Sequence, residues 1–215
     1  MVKIAPSILS ADFSYLEKEV IEVDKAGADY IHIDVMDGHY VPNITFGSNI
    51  IKVLRSLTHK TLDVHLMISP VINFIEDFSK AGADIISFHP EADLDPLKVI
   101  NLIRNCNCKP GIAIHPNIQV TEFEAYLDLV DIVVVMTVMP GFGGQKFIND
   151  HISKISMLKN MRNKKNLKFE IEVDGGINLK NSKICKENGA DVLVAGSYIY
   201  GSNSTKYKNL IENLR

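Results

Sequence analysis

The 215-residue chain carries histidines and acids at alternate positions. His32 precedes Asp34 by two, Asp63 precedes His65 by two, and Glu170, Glu172 and Asp174 follow one another in the same rhythm. Residues two apart share one face of a β-strand. Ile31, Ile33 and Val35 take the opposite face in the first stretch, Val64 and Leu66 in the second, and Ile171 and Val173 in the third. Apolar faces pack under covering helices, so His32, Asp34, His65 and Asp174 are expected to point into a common interior. Two imidazoles and two carboxylates suit a borderline divalent ion such as Zn2+, Fe2+, Mn2+ or Co2+, with bonds of about 2.0–2.2 Å for zinc. Without a cation, two buried carboxylates repel and one is protonated; a cation lets both stay ionised.

Glycines form a second group. Pro140-Gly-Phe-Gly-Gly144, Gly175-Gly176 and Gly196-Ser197 each follow an apolar run. Glycines there let backbone N–H groups approach an anion, and phosphate fits that role. The expected cradle is Gly141, Phe142, Gly143, Gly144, Gly175, Gly176, Gly196 and Ser197. Lys146 is the one basic residue nearby, so backbone donors carry most of the binding. Met36, Met67 and Met136 share the inward parity and would form a soft apolar lid that excludes water.

Eight strand-like runs position these residues: near 3–9, 30–35, 61–67, 84–89, 110–115, 131–137, 169–174 and 191–196, starting about 27 residues apart. A strand, a helix and two loops need about that much chain. Lys25-Ala-Gly-Ala-Asp29, Lys80-Ala-Gly-Ala-Asp84 and Glu187-Asn-Gly-Ala-Asp191 each read as a helix ending at a left-handed glycine before the next strand. Ser14 with Glu17 and Thr121 with Glu124 are spaced as capping boxes. Asp95-Pro96 reads as a helix start, and Val71, Phe74, Ile75 and Phe78 as one apolar helix face. Eight alternations with no linker predict a single-domain (β/α)8 TIM barrel over residues 1–215. No G-x-G-x-x-G follows the first strand, which disfavours a doubly wound sheet. The polar residues fall at the strands' C-terminal ends, where barrels keep their active sites.

Composition narrows the function. Net charge is −3, which gives no broad footprint for nucleic acid. No apolar run approaches the roughly 18 residues of a membrane span. Pro6, Ser10 and Asp12 interrupt any secretory pattern at the N-terminus, and the three cysteines are expected to be free thiols in a cytoplasmic protein.

Ala5-Pro-Ser-Ile-Leu-Ser-Ala-Asp-Phe13, His32-Ile-Asp-Val-Met-Asp-Gly-His-Tyr-Val-Pro-Asn43, Asp63-Val-His-Leu-Met67, His89-Pro-Glu91, Met139-Pro-Gly-Phe-Gly-Gly-Gln145 and Glu172-Val-Asp-Gly-Gly176 resemble the ribulose-phosphate 3-epimerase family. The similarity runs from residue 4 to about residue 201. It implies a (β/α)8 barrel that interconverts D-ribulose 5-phosphate and D-xylulose 5-phosphate in the pentose phosphate pathway. It implies one divalent metal ion on His32, Asp34, His65 and Asp174, and no organic cofactor. By the same resemblance Asp34 is proton acceptor, Asp174 proton donor, and Ser7 and His65 contact the sugar. The glycine segments hold the phosphate, and Met36, Met67 and Met136 cap the reacting carbon. A homo-oligomer, dimer or hexamer, is also implied. Met139 and His115-Pro116 depart from the pattern, where relatives often carry a polar residue and Asn-Pro.

Inverting a carbon beside a ketone requires one proton to leave and another to arrive on the opposite face. Asp34 and Asp174 come from different strands and could flank that carbon, while a metal chelating the ketone and the adjacent hydroxyl stabilises the enediolate. D-Allulose-6-phosphate 3-epimerase chemistry would use the same residues, and a non-catalytic phosphosugar-binding barrel is the alternative outside enzymes. An orotidine-monophosphate-type decarboxylase is disfavoured because Asp34-Val-Met-Asp37 lacks the D-x-K-x-x-D lysine. A Schiff-base aldolase is disfavoured because no strand ends in lysine.

Overall fold

The apolar runs form eight parallel strands in the computed structural model, which describes all 215 residues. They are β1 (Lys3–Pro6), β2 (Tyr30–Met36), β3 (Thr61–Met67), β4 (Ile85–Phe88), β5 (Lys109–Ile114), β6 (Ile132–Met136), β7 (Glu170–Asp174) and β8 (Val192–Ala195). Neighbours run β1-β8-β7-β6-β5-β4-β3-β2, and a bridge between Ser7 and His32 brings the two ends together. Helices α1 (Leu16–Lys25), α2 (Ser48–Leu57), α3 (Ile75–Ala81), α4 (Pro96–Asn105), α5 (Ile152–Lys165), α6 (Leu179–Asn188), α7 (Ser197–Tyr200) and α8 (Tyr207–Leu214) lie in the crossovers and at the C-terminus. The result is the expected single-domain (β/α)8 TIM barrel.

Strand parity works as the sequence implies. Ile31, Ile33, Val35, Val64, Leu66, Ile171 and Val173 join one cluster of 48 buried residues between the sheet and the helices. The alternate residues fill the barrel. Parallel register sets His32 beside Asp63, Asp34 beside His65 and Met36 beside Met67, with Met136 beside Asp174 on the other wall.

The repeated Gly-Ala-Asp segments fasten the opposite end. Asp29, Asp84 and Asp191 each accept a backbone N–H at 2.8 Å, from Ile4, Leu62 and Ile171 respectively. Each also pairs with an arginine: Arg215, Arg55 and Arg162. Gly27, Gly82 and Gly189 are left-handed, as expected. The N-terminal mouth is filled by Lys3, whose Nζ donates to Tyr30 Oη at 2.6 Å and pairs with Glu170.

Three local expectations are corrected. Ser14 does not cap α1, because Asp12 already accepts the Ser14 N–H and starts a 3-10 turn (Phe13–Tyr15) ahead of the helix. The box at Thr121 and Glu124 is displaced to Gln119 and Glu122, at the head of a 3-10 helix (Val120–Tyr126). Its buried Val120 and Phe123 lie three apart, the period at which 3-10 side chains eclipse. Phe74 precedes α3 and is 44% exposed, leaving Val71, Ile75 and Phe78 as the buried face. Asp95-Pro96 does open α4, with the Asp95 carboxylate accepting the Lys98 N–H.

Candidate active site and metal centre

The C-terminal ends of the strands surround a small cleft. Ser7, Asp34, Met36, Met67, Met136, Asp174, Gly141, Phe142, Gly143, Gly144, Gly175, Gly176, Gly196 and Ser197 all line it. His32 and His65 are fully buried beneath. Asp34 and Asp174 are the only titratable side chains in the wall.

The four candidate ligands converge. One nitrogen or oxygen from each of His32, Asp34, His65 and Asp174 lies within 4.8 Å of all the others. His32 Nε2 is 3.4 Å from Asp34 Oδ1 and 3.8 Å from Asp174 Oδ2; His65 Nδ1 is 3.6 Å from each of these oxygens. Donors at about 2.1 Å from a tetrahedral centre stand about 3.4 Å apart. His32 Nε2 and His65 Nδ1 are also buried nitrogens with no hydrogen-bond partner. A buried polar atom without a partner is costly, and a cation among these four donors removes the cost. The residues therefore fit a divalent ion.

Each ligand is held from behind. Ser7 Oγ donates to Asp34 Oδ2 at 2.6 Å, which leaves Oδ1 facing the imidazoles. His32 Nδ1 contacts Asp63 Oδ2 at 2.7 Å, and His65 Nε2 contacts His89 Nε2 at 3.0 Å. The Asp174 carbonyl accepts from both Thr137 N and Oγ1, pinning the end of β7.

The electrostatics are those of a packed charge cluster. Burial opposes protonation of His32, but Asp63 and Asp34 outweigh it and hold the imidazolium well above its ordinary range. His65 is raised likewise, by Asp174 and Asp34 against burial. Burial would raise Asp34, yet His32 and His65 keep it below the usual carboxylate range. Beneath them, burial pushes Glu172 far up, and the neighbouring Asp63 charge adds to it. His89 is pushed down to about 4, chiefly by burial.

The glycine segments meet over the cleft. Gly175 has φ +123°, and a Cβ there would lie 2.5 Å from Val138 Cγ2 and 2.8 Å from Val138 N. Asn43 Nδ2 donates to the Gly141 carbonyl, and Gln145 Nε2 to those of Met139 and Phe142. Met139 thus takes part in the loop through its backbone, with a half-exposed side chain. His115 accepts the Asn117 N–H, and the buried Lys154 ammonium donates to the carbonyls of His115, Pro116 and Ile118.

Sequence reasoning missed Ser10, Asp63 and His89 as contributors. Ser10 Oγ sits between Gly143 and Gly196, close to where a Cβ on either would fall. Its signal was the three-residue spacing from Ser7 across a 3-10 turn (Ile8–Ser10). Asp63 had the right parity; His89 ended a strand but had no visible partner.

A profile of the Ribulose-phosphate 3 epimerase family matches residues 3–200. The chain is 49% identical over 207 residues to the ribulose-phosphate 3-epimerase of Bacillus subtilis (strain 168), covering 96% of this chain and 95% of that one. It is 45% identical to the enzyme of the same name from Treponema pallidum (strain Nichols), covering 92% and 90%. Against the chloroplastic ribulose-5-phosphate-3-epimerase of Arabidopsis thaliana it is 43% identical, covering 99% and 75%. Among solved structures, KGPDC from Streptococcus mutans superposes with a TM-score of 0.71 at 15% identity, covering 100% of this chain and 95% of that one. That last likeness speaks to the barrel alone. The chain belongs to the ribulose-phosphate 3-epimerase family, whose named members are isomerases.

Proposed function

We propose that the protein is a metal-assisted ribulose-phosphate 3-epimerase, interconverting D-ribulose 5-phosphate and D-xylulose 5-phosphate in the pentose phosphate pathway of the cytoplasm. The observation that carries this reading is the cleft wall, whose only titratable groups are Asp34 and Asp174. Any proton exchanged with a substrate there goes through one of them.

His32, Asp34, His65 and Asp174 would hold one divalent ion. Bound there, it would supply Lewis-acid stabilisation for the negative charge that develops on the ketone oxygen. Asp34 and Asp174 stand on β2 and β7, on different walls of the cleft. One removes the C3 proton and the other returns a proton to the opposite face, exchanging roles in the reverse direction. Asp34 presents Oδ1 to the imidazoles and Oδ2 to Ser7, so one oxygen can stay among the ligands while the other holds a proton. Ser7 and His65 contact the sugar. Met36, Met67 and Met136, all nearly inaccessible, exclude water above the reacting carbon. No lysine or arginine lines the cleft, so N–H groups of the glycine segments and Ser197 receive the phosphate. The active form is proposed to be a homo-oligomer, dimer or hexamer.

The test is an epimerase assay on ribulose 5-phosphate in deuterated water, with metal content measured before and after chelation. Solvent deuterium should enter at C3, and chelation should abolish turnover. Asp34→Asn and Asp174→Asn should each lower kcat by about 100-fold or more. Near-normal turnover in both would remove the two-base assignment. Parallel kinetics on allulose 6-phosphate separates the pentulose from the hexulose reading.

A further inference from the structure

The two imidazoles of the metal centre are held in different ways. His32 has a carboxylate behind it, Asp63, at 2.7 Å. His65 has another imidazole: its Nε2 lies 3.0 Å from His89 Nε2, and both rings are fully buried. Two ring nitrogens at that distance share one proton, so one donates and the other accepts.

The next contact decides which. His89 Nδ1 makes no hydrogen bond; the nearest acid is Glu91, whose Oε1 lies 3.5 Å away, within ion-pair range. That is about 0.5 Å longer than an ordinary N–H···O bond. Glu91 is itself held, because Tyr40 Oη donates to its Oε1 at 2.8 Å and the Tyr40 ring lies over His89 with centroids 4.9 Å apart. Tyr40 in turn is fixed by Asp37, which accepts the N–H groups of His39, Tyr40 and Ser69.

An ionised carboxylate only accepts hydrogen bonds. Glu91 therefore favours a proton on His89 Nδ1, which leaves a lone pair on His89 Nε2. That lone pair accepts the N–H of His65 Nε2. In a neutral His65 the remaining lone pair is then on Nδ1, 3.6 Å from both Asp34 Oδ1 and Asp174 Oδ2.

We propose that Glu91 and His89 are positioning residues that fix the tautomer of His65 and aim its Nδ1 lone pair at the metal centre, Glu91 through its charge beside His89 Nδ1 and His89 through its hydrogen bond to His65. This rests on the reading of His65 as a ligand. Outer partners of ligating histidines commonly control metal affinity.

The test is long-range 1H–15N correlation of uniformly labelled protein, metal-free and zinc-loaded, with zinc affinity from chelator competition. The wild type should show His89 as the Nδ1–H tautomer in both states, with a scalar coupling between His65 Nε2 and His89 Nε2. In metal-free protein above the pH at which His65 loses its extra proton, Glu91→Leu should release His89 into the Nε2–H form, and it should weaken zinc about 10–100-fold. Glu91→Gln, which keeps an acceptor oxygen, should restore part of both. His89→Phe should weaken zinc while keeping the ring's volume. A Glu91→Leu protein with unchanged tautomer and affinity overturns the proposal. An Nε2–H form of wild-type His89 in metal-free protein with neutral His65 overturns it even if a variant fails to fold. Should the wild type bind no zinc, the metal reading falls, while the His89 spectrum still judges the proposed tautomer.

Discussion

Acidification should strip the metal centre along a curve set by its two imidazoles. In the metal-free protein His32 and His65 hold protons more tightly than free histidine, burial being outweighed by the surrounding carboxylates. Asp34 is held below its usual range and carries none at neutral pH. A cation needs the lone pairs of both imidazoles and so displaces two protons. Between about pH 6.5, the ordinary histidine value, and the raised values, apparent affinity should climb about 100-fold per pH unit. It should level off above the raised values. Stability follows with the opposite sign in the metal-free protein. Groups raised on folding contribute stability that is fully present below about pH 6.5 and lost as pH rises through their folded values. Metal-free protein should therefore weaken on the alkaline side while metal-loaded protein holds, and the Tm difference should widen as pH rises from about 6.5 through the raised values. Chelator competition with zinc at several pH values gives the slope. A pH-indicator dye in weak buffer counts protons released, approaching two per zinc below the raised values and falling off above them. A flat affinity across this window, or no proton release, would refute the protonated imidazoles.

Two substitutions probe the cleft itself. Gly175→Ala places a methyl 2.5 Å from Val138 and within 2.8 Å of its backbone nitrogen, at a positive φ. It should cost about 1–3 kcal/mol in urea denaturation and raise the KM for the phosphorylated substrate; unchanged values of both would show that the segment accommodates a side chain. Met67→Ala removes a side chain only 1% exposed that packs with Met36 and Val41 at the mouth. Stability should fall by about 2–5 kcal/mol and kcat should fall as well. A normal kcat in the folded variant would make Met67 a packing residue alone.

The strands and their inward residues were legible because alternation is local: His32 and Asp34 against Ile31 and Ile33 fix a face whatever the partner strand. Contacts that depend on how strands align were not. The Ser7–Asp34 bond needs the meeting of β1 and β2, and the His65–His89 contact needs the relation of β3 to β4. Asp63 and Glu172 had inward parity, but their place one layer below the metal ligands is a matter of barrel geometry. The displaced box at Gln119 shows a different limit. Thr121 and Glu124 satisfy the spacing of an α-helical start, yet buried residues three apart at Val120 and Phe123 settle a tighter helix. Ties between loops, such as Asn43 to Gly141, leave no trace in either segment alone.

The barrel has one thin join. Seven strand pairs are laced by continuous ladders, but β1 meets β2 through the isolated Ser7–His32 bridge. Asp29 fastens the lower edge, drawing in the C-terminal Arg215, and Ser7 fastens the upper edge to Asp34. An ion gripped by His32 and Asp34 on one lip and by Asp174 across the mouth would act as a clasp on this hoop, adding its binding free energy to the folded state. Amide exchange at His32 would then report the clasp opening before the rest of the hoop gives way.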